Sequence, residues 1–140
     1  MDKASYQEPL SSGGKLVVDK DGWAIQYYFR GPDLRYNGEF ITVFSHQIDD
    51  YIAAFELNFE TYAKLKTTIP SNGNFETKGL CNMFIRIGYG EGVDLSHSFN
   101  HCNESVFPIC NKAQLDMAIF DYKYSRERAQ EITNLLFAKK

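Results

Sequence analysis

"SHQIDDYIAAFELNFETYAKLKTTIP", residues 45–70, is the stretch on which the fold turns. Its apolar residues fall at Ile48, Ile52, Phe55, Phe59, Tyr62, Leu65 and Ile69, in steps of three and four that trace one stripe along a helix. The ends carry matching signals. Ser45 is placed to cap the first turn, Asp49 and Asp50 sit at the positive end of the helix dipole, and Lys64 and Lys66 sit at the negative end. Glu60 reaches Lys64 at i,i+4, and Pro70 cannot continue the helix. A helix over residues 45–68 is predicted, with its aromatic stripe packed against a sheet.

Working back toward the N-terminus, "EFITVF" reads as a strand, and the dipeptide Asn37-Gly38 before it as a turn. "KLVVDKDGWAIQYYFRG" holds two β-rich runs around Asp19-Lys20-Asp21-Gly22, whose glycine accepts the positive φ of a tight hairpin. Alternation places Trp23, Ile25, Tyr27 and Phe29 on one face. These runs predict an antiparallel meander. Residues 1–14, ending in Ser11-Ser12-Gly13-Gly14, read as a flexible arm, with residues 15–140 as a single domain.

Toward the C-terminus, "SNGN" is a turn and "GLCNMFIRIG" alternates as a strand, with Cys81, Met83, Ile85 and Ile87 on one face. "SVFPIC" reads as a short strand that Pro108 confines to an edge or a bulge. In the last thirty residues Asn111 is a helix cap, and Leu115, Ile119, Tyr122, Ala129, Ile132 and Leu136 recur at near-helical spacing. Ser125 marks a place where that helix would break in two, and "MAIFDYKY" reads equally as helix or strand. The sum is an α+β fold: an antiparallel sheet with the long helix and a C-terminal helical segment on one face.

A chain of 140 residues, 44% hydrophobic and 15% aromatic, is long enough for one core and no more. No apolar run approaches the roughly 20 residues needed to span a bilayer, so no membrane partner is expected. The first residues lack the apolar run of a secretory signal, which leads to the expectation of a cytoplasmic protein with Cys81, Cys102 and Cys110 as thiols. Net charge is −3, and the acids are grouped. Residues 37–60 hold five acids and no Lys or Arg, and residues 89–121 hold five more against Lys112 alone. Such a field repels nucleic acid and attracts basic partners.

Three stretches are candidates for chemistry. "SHSFNHCN" brings His97, His101 and Cys102 together, but the paired-cysteine knuckle of structural zinc sites is missing and the adjacent His101 and Cys102 point apart in regular structure. Cys81 and Cys110, beside Met83 and Ile109, read as small core residues. A surface loop is the preferred reading of "SHSFNHCN", with no metal and no catalytic residue. The alternative is a small hydrolytic or ligand-binding enzyme using His97, His101 and Cys102. "GYGEG", residues 88–92, lacks the Lys-Ser/Thr of a phosphate loop and carries Glu91, so it reads as a wide turn and implies no cofactor. Nucleic-acid stacking on "WAIQYYFR", beside Arg30 and Arg35, is opposed by its inward-facing aromatics.

In organisation, a Trp-bearing strand "WAIQYYFR" followed by "ITVFSHQIDDYIAAFELNFETYAKL" resembles the small bacterial immunity proteins that neutralise contact-dependent growth inhibition toxins and related polymorphic toxins. The resemblance implies a non-enzymatic inhibitor that binds a cognate toxin domain, frequently a nuclease, and blocks it; it assigns no individual residue. Nuclease clefts are cationic, so carboxylates are suited to fill them. The expected contact residues are Asp49, Asp50, Glu56 and Glu60 on the helix and Glu91 and Asp94 near the glycine turn, with Tyr89 as an aromatic anchor. The sequence sets no oligomeric state.

Overall fold

Alternating burial in two separate meanders divides the strands into two antiparallel sheets of four. The structure, a computed structural model, describes residues 5–29, 39–81, 83–88, 91–99 and 102–137, with backbone alone at 28–29, 39–40, 96–99 and 102–107. The first sheet runs in order β1 (Tyr6–Pro9), β2 (Lys15–Asp19), β3 (Gly22–Phe29) and β4 (Glu39–Phe44). Helix α1 (Ile48–Thr68) follows, and the second sheet is β5 (Phe75–Lys78), β6 (Met83–Ile87), β7 (Gly92–Phe99) and β8 (Cys102–Ile109). Helix α2 (Lys112–Ile132) and one π-helical turn, Thr133–Phe137, close the described chain.

The expected α+β class holds, while the single expected sheet is two. Alternation identifies a strand but not its ladder, and α1 separates the meander ending at β4 from the one beginning at β5. Leu16, Val18, Ile25, Tyr27 and Val43 face inward from the first sheet, and Met83, Ile85, Ile87, Val93, Leu95 and Ile109 from the second. α1 lies against β6 and β7, α2 against β2, β3 and β8, and the two helices against each other. One continuous core results.

The long helix begins at Ile48 after a single 3₁₀ turn, Ser45–Gln47, and ends at Thr68 before Pro70, close to the expected limits. Ser45 is not its cap: Gln47 takes that position, and its Oε1 accepts the Phe44 N–H at 3.0 Å. The buried stripe is also turned slightly from the expected one, through Ile48, Tyr51, Ala54, Phe55, Asn58 and Tyr62. α2 is unbroken. Ser125 lies buried in its middle, "MAIFDYKY" is helical throughout, and Asn111 caps it by accepting the Gln114 N–H at 2.9 Å.

Within the segment expected as a flexible arm, Tyr6–Pro9 is a strand in register with β2, Tyr6 opposite Val18 and Pro9 opposite Lys15. Its anchor comes from far along the chain. Glu8 accepts hydrogen bonds from the Tyr6 hydroxyl at 2.6 Å, the Tyr124 hydroxyl and Arg128 Nε at 2.9 Å. Burial opposes ionisation of Glu8, but those donors outweigh it and hold the carboxyl below its ordinary range. Ser12 N–H donates to the buried Asp121 carboxylate at 2.7 Å, fixing the β1–β2 connection to α2. Gly14 is required beside it, because a Cβ there would meet the Tyr27 ring at 2.7 Å.

Tyr122 joins the layers. It is fully buried, its ring stacks on Tyr51 at 6.4 Å and meets Phe55 edge-on at 5.1 Å, and its hydroxyl accepts from Tyr27 at 2.7 Å. α2 thereby touches α1 and β3 through one side chain. Tyr122→Phe keeps the ring and removes one buried hydrogen-bond partner of the Tyr27 hydroxyl, so the urea unfolding midpoint should drop by an amount equivalent to about 1 kcal/mol with the slope unchanged.

Candidate functional site

Because the inner stripe of α1 is occupied by core contacts, the remaining positions face outward along a helix roughly 30 Å long. Asp49, Asp50, Glu56 and Glu60 are all exposed. Asp49 accepts from Arg126 of α2, and Glu60 pairs loosely with Lys64 at 3.9 Å. Among the described residues Asp50 and Glu56 form no ion pair at contact distance, although the charge of Glu56 is felt by Lys112. Between these acids lies Leu57, 51% exposed. Leu57 falls outside the apolar stripe read from the sequence, and an apolar side chain on the polar face of an amphipathic helix was the available signal of a contact point.

A buried amide fixes this helix to the turn between β5 and β6. Asn58 Oδ1 accepts from Leu80 N–H at 3.0 Å, and Nδ2 donates to the Leu80 carbonyl at 3.2 Å and to Met83 Sδ at 3.3 Å. Gly79 leaves room for it, since a Cβ there would lie 2.6 Å from Asn58 Oδ1. Cys81 follows in the left-handed region at φ 54°, in the turn rather than on the inner face of the strand. Its half-buried thiol donates to the Asp50 carbonyl at 3.6 Å, and burial, then the nearby Asp50 charge, raise its pKa above the ordinary range.

The other predicted contact residues divide. Asp94 is not a surface group: its side chain is 2% exposed, and Arg86 Nη1 donates to it at 2.5 Å while Arg86 Nε reaches Glu76 at 2.8 Å. It stands opposite Phe84 on the sheet face that carries Arg86, and the ion pair withdraws its charge from any partner. Glu91 is also engaged. It accepts from Lys66 Nζ, from the Tyr62 hydroxyl at 2.6 Å and from Gly88 N–H at 3.2 Å. Lys66, Tyr62 and Gly88, in that order, pull its carboxyl down to about 2. Burial and then Glu91 itself push the Tyr62 phenol up. Gly88 and Gly92 take φ of 95° and 137°, as a wide turn here requires. Tyr89 lies outside the described residues.

Of "SHSFNHCN", residues 96–99 and 102–103 are strand rather than loop. His97 stands opposite Glu104 and Phe99 opposite Cys102 in the β7–β8 ladder, a pairing that local polarity does not reveal. His101 lies outside the described residues, as do the side chains of His97 and Cys102. β8 is an edge strand, as Pro108 requires, and the ladder shifts register between Asp94 and Ser96. Cys110 is exposed rather than core, with its thiol donating to the Glu91 carbonyl at 3.0 Å. Partial burial of the sulfur, then Asp94 and Glu91, hold that thiol above its usual pKa, which disfavours a nucleophilic thiolate.

Among the described residues no cluster of three or more His, Cys, Asp or Glu is placed to hold a metal ion, and no helix is long and apolar enough to cross a membrane. No protein-family model matches the chain, and searches of curated proteins and of solved structures found no match.

Glu91 sets a pH dependence. Its carboxyl ionises near 2 in the folded chain against an ordinary 4.5, so below about 4.5 the unfolded chain takes up the proton first and stability falls as pH drops toward 2. Between about pH 5 and pH 2.5, wild type should lose more stability in urea titrations than Glu91→Gln, whose acid-side profile is correspondingly shallower.

Proposed function

We propose that the protein is a toxin-neutralising immunity protein, binding a cognate toxin domain, of nuclease type, through the outward face of α1 and acting by stoichiometric occlusion without turnover. The observation that supports this reading above all is exposed Asp50 and Glu56, without a contact ion pair among the described residues, on the same outward side as exposed Leu57 of a helix whose other face is locked into the core. Carboxylates around an apolar anchor suit a cationic cleft: the charges speed encounter, and the anchor supplies desolvated contact. Asp49 and Glu60 extend the same face. Asp94 and Glu91, being held in internal ion pairs, are assigned to joining β6 with β7 and to the turn between them instead.

Because α1 is held by Tyr51, Phe55, Asn58 and Tyr62, binding needs little ordering of the surface that does it. The partner is expected among gene products encoded beside this one. Co-expression should relieve the growth inhibition caused by the toxin domain and yield an isolable complex. The double reversal Asp50→Lys with Glu56→Lys should slow association about tenfold at low salt and flatten its salt dependence. An unchanged rate and salt slope would remove α1 from the interface.

A further inference from the structure

The core side of α2 runs through Leu115, Ala118, Tyr122, Ser125 and Ala129, so at roughly 100° per residue its opposite side is centred near Phe120. Ala113, Met117, Phe120 and Tyr124 follow one another on that outward side in steps of four, three and four, the spacing of a seam that meets another helix. Phe120 is 61% exposed and Met117 45%, and half-buried Tyr124 stacks its ring on Phe120 at 6.1 Å. A solvated helix face has no use for two such side chains in adjacent turns.

The charges along one edge of this seam say what fits it. Lys112, Asp116, Lys123 and Glu127 stand there in sequence, all exposed and alternating in sign. Lys112 Nζ donates to Asp116 at 2.8 Å, with the charge of Glu56 acting on Lys112 from α1, whereas Lys123 and Glu127 form no ion pair among the described residues. Asp116 and Lys123 lie equally far from a point between Ile119 and Phe120, and so do Lys112 and Glu127. A copy of the helix turned about a twofold axis at that point sets Asp116 beside the partner's Lys123 and Lys112 beside the partner's Glu127, and the symmetry repeats both pairs. A parallel copy in register sets each charge against its own kind. A uniformly basic partner meets Lys112 and Lys123, and a uniformly acidic one meets Asp116 and Glu127. The edge is complementary to its own reverse.

The geometry points to a homodimer in which α2 packs antiparallel on α2 of a second copy, with Phe120 at the centre of the seam and the Asp116 and Lys123 pairs along its edge. The dimer neither uses nor requires the reading of α1 as a toxin-binding face.

Sedimentation equilibrium of the full chain, whose mass is 16.1 kDa, tests the seam. A monomer–dimer equilibrium with a dissociation constant below about 100 µM is expected. Phe120→Ser, at an exposed position, should weaken it at least about tenfold. Asp116→Lys and Lys123→Asp, each of which brings like charges together across the seam, should weaken it at least about fivefold at low salt, and the double variant should return to within about twofold of wild type. That recovery belongs to the antiparallel arrangement, because in a parallel pair the double variant still faces like with like, and it carries the test if Phe120→Ser fails to fold. One-chain mass persisting at about 1 mM, a dimer indifferent to Phe120→Ser, or a double variant no tighter than the weaker single one would overturn the seam. A chain that stays monomeric yet binds a toxin domain through Phe120 would also overturn it, while leaving the toxin reading in place on another face.

Discussion

Two sheets, each apolar on one side, must be covered by only two helices, and the fold depends on how that covering is shared. α1 seals β6 and β7, α2 seals β2 and β3, and Tyr122 is where the two seals meet. Burial pushes the Tyr122 and Tyr27 phenols well above their ordinary pKa, so their hydroxyl contact persists as a neutral hydrogen bond inside the core. An apolar ring alone would hold the layers together but leave their relative register free. The hydroxyl pair removes that freedom, because a buried phenol is satisfied in few positions.

Charge in this molecule falls into two populations. Glu8, Asp94, Asp121 and Glu91 are tied to specific donors and fix strand β1, an ion pair on β7, the β1–β2 connection and the β6–β7 turn. Asp50 and Glu56 are exposed and form no contact ion pair among the described residues. Acidic side chains on an exposed helix without internal partners serve either solvation or a partner molecule; exposed Leu57 among them favours the partner. That surface sits on a helix whose inner face is packed, which is the condition for presenting charge without reordering.

Local features of the fold were legible in the sequence, and long-range ones were not. α1 could be read within two or three residues at each end because its stripe, dipole charges and Pro70 all lie inside one segment. The Asp19–Gly22 hairpin and the Asn111 cap were legible for the same reason. β1 was not: its sequence is polar, and the residues that hold it, Tyr124 and Arg128, are more than a hundred positions away. Asp94 looked like a surface acid because Arg86, eight residues earlier, reveals its role only once β6 and β7 pair. Of the expected contact residues, the exposure of the four on α1 was legible from helical spacing, because that spacing lies inside one segment.

A preformed surface requires that both sheets and both helices open together. Native-state hydrogen exchange in increasing denaturant measures this directly, comparing the amides of Ile25 and Tyr27 in the first sheet with those of Ile85 and Leu95 in the second. Both pairs are predicted to converge on one opening free energy, equal to that of global unfolding, with a common denaturant slope. Exchange of either pair through a smaller opening, while the other stays protected, would contradict a single core locked at Tyr122.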